Sequence, residues 1–291
     1  MAITAADVKK LREISGAGMM DCKKALTETD GNIDAAVDFL RKKGLAAASK
    51  KAGRVAAEGI VVSISEGNIG VVLEVNSETD FVSKNDQFVG FVNAIAALII
   101  KQNPADVDTL KALDFDGEHN VEQALSQLIS TIGENMSIRR FVRTEVSTGV
   151  VASYVHAGGK IGVLIGIEGK IEADLARGVA MHVAAANPRF IARDDVDADS
   201  VKRERAVLSE RAIASGKPEA IVEKIVSGQL NKFYSEICLL EQDFVMDTDK
   251  KVSKALGDAK LVSMARFQLG EGIEKKEEDF AAEVAAQIQG G

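Results

Sequence analysis

A short polar segment, SETDFVSKND (77–86), holds the residue types in this chain that could act on another molecule. Phe81 lies between Asp80 and Val82, a few residues after an apolar run that ends at Val75. An aromatic side chain in this place can belong to a core at the start of a helix. It can also insert into an apolar pocket of a partner protein. The residue types alone leave both interpretations open.

Other motifs in the chain do not support catalysis or nucleotide binding. A phosphate-binding GxxxxGK[ST] motif is absent, and the GAG at 16–18 follows a helical pattern instead of a strand. The acidic DVDAD at 195–199 lacks the glycine and the glutamate that a calcium loop requires at its sixth and twelfth positions. The three histidines, His119, His156 and His182, are too scattered to form a metal site or a catalytic set. We interpret His182 as a packed core residue. We expect no cofactor, no metal site and no enzymatic activity.

Composition narrows the class of protein further. The 291 residues carry a formal net charge of −8, which argues against a chain that mainly coats nucleic acid or an anionic membrane. The two cysteines, Cys22 and Cys238, show no spacing typical of a disulfide framework or a zinc site. The start of the sequence lacks a signal peptide, and the apolar stretch 88–100 is too short to span a bilayer. We therefore expect a cytoplasmic protein that has no contact with a membrane.

The elements that position these residues begin with a helical module at 1–45. Apolar residues at helical spacing predict three short helices, and Gly44 is expected to end the third. A bundle of this size is marginally stable and usually serves for docking. Residues 46–58 are predicted to form a basic linker.

An internal repeat defines the α+β core. GNIGVVLEV (67–75) recurs as GKIGVLIGI (159–167), and each copy follows a predicted strand and precedes an amphipathic helix. We predict two similar subdomains, 59–147 and 148–270. The second copy has no counterpart of SETDFVSKND, so the shared fold does not require that segment. This difference favours a partner-binding role for Phe81 over a place in the core.

Two helical additions complete the predicted architecture. A charged helical hairpin is inserted at about 196–234, with SGKP (215–218) as its turn. Residues 271–291 are predicted to form a helical module in which Phe280, Val284 and Ile288 share one face.

Four segments, distributed along nearly the whole chain and in the order of the family, resemble the bacterial elongation factor Ts family. They are LREISGAGMMDCKKAL (11–26), EVNSETDFVSKND (74–86), MHVAAANPRF (181–190) and GEGIEKKEEDFAAEVAA (270–286). The resemblance implies an amino-terminal bundle of the ubiquitin-associated-like type. It also implies a nucleotide exchange factor for elongation factor Tu, the GTPase that delivers aminoacyl-tRNA. The chain would bind this partner in its GDP-bound and nucleotide-free forms. No direct nucleotide binding by this chain is implied.

The resemblance also implies roles for individual residues. The segment formed by Thr79, Asp80, Phe81 and Val82 would displace the magnesium ion of the GTPase, with Phe81 entering an apolar pocket.

Four further residues are expected to dock the partner. Met19 and Met20 would contact its GTPase domain, although one of the two is expected to pack inside the bundle. His156 would meet another domain, and the helix around Phe280 would pack on the GTPase domain. The helical hairpin mediates homodimerisation in some family members.

Two other functions stay open. The segment 41–54 contains six basic residues and no acidic one, so an RNA-binding translation accessory protein is an alternative. An enzyme with an unrecognised site between the two repeats is another.

Overall fold

The computed structural model describes residues 3–216 and 218–274, whose contacts form two compact units. The first unit contains residues 3–60, 74–140 and 269–274, and the second contains residues 61–73 and 141–268. Helices and strands occur in both, so the predicted α+β fold class is confirmed. Each of these units combines segments that are separated along the chain. The domain boundaries that we drew from the sequence therefore stay a prediction.

Three helices form the amino-terminal bundle: α1 (Ala5–Ser15), α2 (Met19–Glu28) and α3 (Ile33–Lys51). A capping box begins α1, because the side chains of Thr4 and Asp7 each accept a hydrogen bond from the other residue's backbone N–H. Gly16 ends α1 in the left-handed conformation. The bundle has its own small core of Val8, Leu11, Cys22, Ala25, Leu26 and Ala36.

The first α+β repeat follows the bundle. Its strands β1 (Glu58–Glu66), β2 (Ile69–Ser77) and β3 (Met136–Glu145) form a sheet in the order β1-β2-β3. Between β2 and β3 the chain forms α4 (Asp86–Gln102), α5 (Val107–Ala112) and α6 (Val121–Ile132). Helical spacing predicts that Phe88, Phe91, Val92, Ile95 and Leu98 share the buried face of α4. The first four are buried and Leu98 is partly buried, and Ala96 and Ile99 complete the buried face.

The structure corrects the prediction that Gly44 ends the third helix. The helix α3 continues through Gly44 to Lys51, so the first part of the expected linker is helical. A glycine inside a helix ordinarily costs about 1 kcal/mol relative to alanine. Gly44 is buried where α3 packs on α6, and a Cβ there would lie at an ordinary contact distance, 3.7 Å, from the Ser126 carbonyl oxygen. Tertiary contact therefore overrides the local stop signal.

The second repeat and its insertions follow β3. The elements are β4 (Gly149–His156), β5 (Ile161–Glu168), α7 (Ala173–Ala186), α8 (Ala198–Ala214), α9 (Glu219–Ile237), β6 (Asp243–Phe244), β7 (Asp247–Lys251), α10 (Val252–Leu256) and β8 (Lys260–Gln268). An antiparallel sheet forms in the order β4-β5-β8, with β5 in the middle as β2 is in the first sheet. The helix α7 covers this sheet through Ala176, Val179, Ala180 and Val183.

Inside the second unit, the repeated glycines explain why the two copies share an Ile-Gly-Val sequence. A Cβ at Gly70 would lie 2.8 Å from both Leu164 Cδ1 and Val151 Cγ1. A Cβ at Gly162 would lie 2.5 Å from Val61 Cγ1. Each glycine thus makes room for apolar side chains of the other copy.

The helices α8 and α9 form the predicted hairpin, with a core of Leu208, Ala212, Val222, Val226 and Leu230. At its base the Arg193 guanidinium donates to both oxygens of Glu241 at 2.8 Å and lies over the Tyr234 ring. None of the helices within the described residues is long and apolar enough to cross a membrane. Phe280 and residues 275–291 of the predicted terminal module lie outside the described residues.

Candidate partner-binding site at the β2–α4 connection

The segment between β2 and α4 is a compact, ordered connection. The strand β2 is buried up to Ser77, whose hydroxyl donates to the Thr79 carbonyl oxygen at 2.9 Å. At the other end, the Asn85 side chain accepts the N–H groups of Gln87 and Phe88 and begins α4. A single 3-10 turn, Val82–Lys84, lies between these two anchor points.

Phe81 lies at the tip of this connection, and 82% of its surface is exposed. Its backbone is in the ordinary right-handed helical region (φ −61°, ψ −38°), so no backbone strain forces the side chain outward. Val82 beside it is buried, with only 4% exposed. Burying a phenylalanine would stabilise the chain by roughly 1.5–3 kcal/mol, which this conformation forgoes. The expectation that Phe81 lies outside the core agrees with this geometry.

A carboxylate from a neighbouring turn holds the start of the connection. Glu134 Oε2 accepts the Thr79 N–H at 2.9 Å, and Glu134 Oε1 accepts the Thr79 hydroxyl at 2.6 Å. Glu78 accepts the Asn135 N–H and is paired with Arg54 at 3.3 Å. Sequence reasoning missed this support. No local pattern indicated it, because Thr79 and Glu134 lie 55 positions apart in the sequence.

Asp80 presents its side chain to solvent beside Phe81. Its carbonyl oxygen accepts the Ser83 hydroxyl at 2.6 Å, so the backbone of this residue is also held in the turn. The four predicted contact residues therefore divide by burial. Asp80 and Phe81 are exposed, Thr79 is half-buried by its hydrogen bonds, and Val82 is an anchor packed inside.

A buried carboxylate stabilises β2 just before the connection. Glu74 is fully buried and accepts hydrogen bonds from Arg139 at 2.9 Å, Arg140 at 2.7 Å and the Gly270 N–H at 2.8 Å. Burial raises the pKa of Glu74, but the hydrogen bonds from Gly270, the two arginines and Asn76 outweigh it, so the pKa lies below its usual range. This cluster joins β2, β3 and the segment after β8.

Met19 and Met20 at the start of α2 are both exposed, at 60% and 76%. The prediction that one of them packs inside the bundle is wrong. A helical side chain covers the turn before its own Cα, and the first residues of α2 have no such turn to pack on. Cys22 and Leu26 fill the core instead.

His156 occupies the exposed end of β4, in the second unit. Its Nδ1 lies 3.1 Å from the Tyr154 hydroxyl, and the two rings stack with centroids 6.0 Å apart. Sequence reasoning did not single out Val245 and Met246, which are 49% and 60% exposed in the turn between β6 and β7. The available signal was a pair of adjacent apolar residues in the turn between two short strands.

His182 is packed as expected. It is 2% exposed on α7, its Nε2 lies 2.9 Å from Gln242 Oε1, and its Nδ1 accepts the Val245 N–H at 3.1 Å. Since Nδ1 accepts, the neutral ring carries its proton on Nε2 and donates it to Gln242. Burial lowers the pKa of His182, partly opposed by the Gln242 hydrogen bond. Its surroundings keep the ring neutral and structural.

The basic segment 41–54 is partly neutralised. Lys43 forms an ion pair with Asp21, and Arg54 forms one with Glu78. No aromatic residue lies within the segment to stack on bases. Within residues 3–216 and 218–274, no three His, Cys, Asp or Glu side chains come together in a way that could hold a metal ion.

Fold and site together define an α+β protein that presents exposed apolar side chains on rigid supports, an arrangement suited to contact with another protein. The family model described as "Elongation factor TS" matches residues 78–271. Proteins named elongation factor Ts from Magnetococcus marinus and Paramagnetospirillum magneticum are 55% and 56% identical to this chain. The matches cover 100% of both chains for the first, and 98% of this chain and 97% of the relative for the second. The chain belongs to the elongation factor Ts family, and the predicted resemblance is confirmed.

Proposed function

We propose that this chain binds elongation factor Tu carrying GDP and promotes GDP release by inserting Phe81 into the GTPase domain. The observation that carries the proposal is the 82% exposure of Phe81 on a connection held at both ends. Family membership supports the choice of partner.

The proposed mechanism acts on the partner's magnesium site. A GTPase holds GDP through phosphate-loop amides and through a magnesium ion that bridges to phosphate oxygens. Phe81 enters an apolar pocket of the partner and moves the helices beside that ion, while Asp80 accepts hydrogen bonds from the displaced helix. Contact with the nucleotide itself is not needed. The chain forms no covalent bond, so we do not assign it an enzymatic activity.

Exchange then follows from reciprocal coupling. If this chain weakens GDP binding to its partner, GDP must weaken the binding of this chain by the same free energy. The nucleotide-free complex is therefore the tight one, and GTP or GDP rebinding releases the factor. Every 1.4 kcal/mol of coupling corresponds to a tenfold change in affinity.

The remaining predicted contact residues are assigned to docking. Met19 and Met20 are flexible, polarizable side chains that can adapt to the GTPase domain. His156, stacked on Tyr154, is proposed to meet a second domain of the partner. Phe280 is proposed to contact the GTPase domain. These contacts set affinity, whereas Phe81 sets the rate of release.

The test compares two phenylalanines that lie close in sequence. Phe81→Ala should lower the maximal rate of GDP release by at least about tenfold, equivalent to ~1.4 kcal/mol, with an almost unchanged melting temperature. Phe88→Ala removes a fully buried ring and should cost about 3–5 kcal/mol of stability. Thermal melting and release of fluorescent GDP from elongation factor Tu are measured on the same samples. A normal release rate for Phe81→Ala would refute the wedge.

Homodimerisation through the α8–α9 hairpin is a separate proposal. Val207, Ile213 and Ile221 on the hairpin are 50%, 63% and 43% exposed, which leaves apolar surface available for a second copy. Sedimentation equilibrium of the full chain and of a Val207→Ser, Ile213→Ser variant tests it. A monomeric full chain at high concentration would contradict the proposal.

A further inference from the structure

We infer that Glu134 is a positioning residue that holds Phe81 ready for insertion; the inference rests on the proposed function. Glu134 is half-buried and makes its contacts to the backbone and side chain of Thr79, two residues before Phe81. It acts on the partner only through Phe81.

The support for Glu134 is itself rigid. Gly133 adopts φ 93°, ends α6 in the left-handed conformation and directs the chain into β3, which starts at Met136. Glu134 is therefore fixed between a helix end and a sheet strand. Its two carboxylate oxygens meet two donors of one residue, at 2.9 Å from the Thr79 nitrogen and 2.6 Å from the Thr79 hydroxyl oxygen. This bidentate geometry fixes the orientation of Thr79 as well as its position.

The residue after Glu134 strengthens the same attachment. The Asn135 N–H donates to Glu78, and the Asn135 side chain donates to the Arg54 carbonyl oxygen at 2.7 Å. Two successive residues of the turn therefore hold two successive residues of the connection. Beyond Phe81, buried Val82 provides the opposite anchor.

Preorganisation gives this attachment a functional consequence. A side chain on a mobile loop must lose the conformational freedom of that loop when it enters a pocket, and this cost reduces the coupling to the partner. A loop already held in one conformation avoids that loss at the moment of insertion. Loss of the Glu134 contacts should therefore slow GDP release, although every residue that touches the partner is still present in the chain.

The experiment uses the full chain with elongation factor Tu. Glu134→Ala removes both acceptors, and Thr79→Val removes the hydroxyl from the other side of the same contact with little change in shape. Glu134→Gln keeps an acceptor for the Thr79 N–H and offers a donor to the Thr79 hydroxyl oxygen, so this variant should retain most of the GDP-release activity. Asp108→Ala removes an exposed carboxylate on α5 and is the control.

Maximal GDP release at saturating factor should fall roughly tenfold for Glu134→Ala, equivalent to ~1.4 kcal/mol, and less for Thr79→Val. The Asp108→Ala control should match the wild type. Hydrogen exchange of the Thr79 amide, measured without the partner, should become faster in Glu134→Ala only. Unchanged protection of that amide, or an unchanged release rate in Glu134→Ala, would overturn the inference.

A double-mutant cycle separates positioning from general stability. In a Phe81→Ala background, Glu134→Ala should have almost no further effect on release, because there is no aromatic side chain left to position. A further loss of the same size as in the wild-type background would mean that Glu134 acts elsewhere, which refutes the inference. Normal release by Phe81→Ala alone would refute the proposed wedge. Slow release by Phe81→Ala together with normal release by Glu134→Ala would refute only the positioning role.

Discussion

The two α+β repeats use the same order of strands and helix, but they join the middle strand to the helix differently. In the first repeat residues 78–85 connect β2 to α4, whereas in the second the shorter 169–172 connects β5 to α7. The short connection satisfies the geometry of the fold. The additional residues of the first connection are therefore not needed for folding, and they carry the exposed Phe81.

A second difference lies inside the middle strands. At the repeat offset, buried Glu74 in β2 corresponds to Gly166 in β5. Glu74 receives the Gly270 N–H and two arginines, whereas a Cβ at Gly166 would lie 2.5 Å from the Ser263 hydroxyl oxygen. The first repeat uses this position to hold the segment after β8, and the second repeat has no room for any side chain there. Equivalent positions of a repeat can thus differ widely: one holds a charged anchor, and the other is a glycine against which neighbouring side chains pack closely.

Exchange of the connections gives the largest expected effect. Replacing residues 78–85 by Gly-Lys-Ile-Glu, the sequence at 169–172, should leave a folded chain that no longer accelerates GDP release above the partner's spontaneous rate. Loss of the Asn85 cap should cost about 1 kcal/mol, and loss of the buried Val82 side chain roughly 1.5–3 kcal/mol. Circular dichroism melting and GDP release measure the two properties. A folded chimera with wild-type exchange would show that the difference between the repeats has no bearing on function.

The Glu74 cluster gives the next largest effect, on stability. Glu74→Ala removes the buried acceptor shared by Arg139, Arg140 and the Gly270 N–H, although Arg140 keeps its ion pair with Glu271. It should lower the free energy of unfolding by about 3–5 kcal/mol in urea titrations. The folded pKa lies below the ordinary 4.5, so the contribution is complete above that pH and is lost as the pH falls through the folded pKa. Glu74→Gln should therefore reduce the acid sensitivity below pH 4.5. Equal acid sensitivity in wild type and Glu74→Gln would contradict the pKa direction.

The reciprocal glycines test how similar the repeats are. Gly70→Val and Gly162→Val each force a side chain into the opposite copy and should both destabilise the chain by about 1–3 kcal/mol or more. Gly90→Ala on α4 is the matched control, because its Cβ meets nothing within 4 Å and alanine should stabilise the helix by up to about 1 kcal/mol. Urea midpoints report all three changes. A large loss at only one of the two valine variants would show that the packing is not reciprocal.

The smallest effect concerns the packed His182. Because burial lowers its folded pKa below the ordinary 6.5, the unfolded chain binds the proton more readily, and stability falls as the pH drops below 6.5. One such group contributes at most about 1.4 kcal/mol per pH unit. The slope of unfolding free energy between pH 5 and 7 should decrease in His182→Gln. Identical slopes in wild type and His182→Gln would contradict this assignment.

Periodicity predicted most helices and the repeat because local spacing of apolar residues reports which face is buried. The helix α7 over Ala173–Ala186 and the hairpin turn near Gly216 are examples. The end of α3 was predicted wrongly, since the packing of Gly44 on α6 is a contact between residues far apart in sequence. For the same reason the support of Phe81 by Glu134, which lies 55 positions from Thr79, gave no local signal.

By itself the sequence determined most of the longer helices and strands, the duplicated Ile-Gly-Val strand and the unmatched segment at 77–86, because all of these are recorded in short-range patterns. Only the tertiary structure decided that Phe81 is exposed while Val82 beside it is buried, and that Met19 and Met20 are both exposed. Burial depends on which distant elements cover a residue, and that is settled when the chain has folded. The proposed partner-binding segment can therefore be recognised from local sequence, whereas long-range contacts hold it in its conformation.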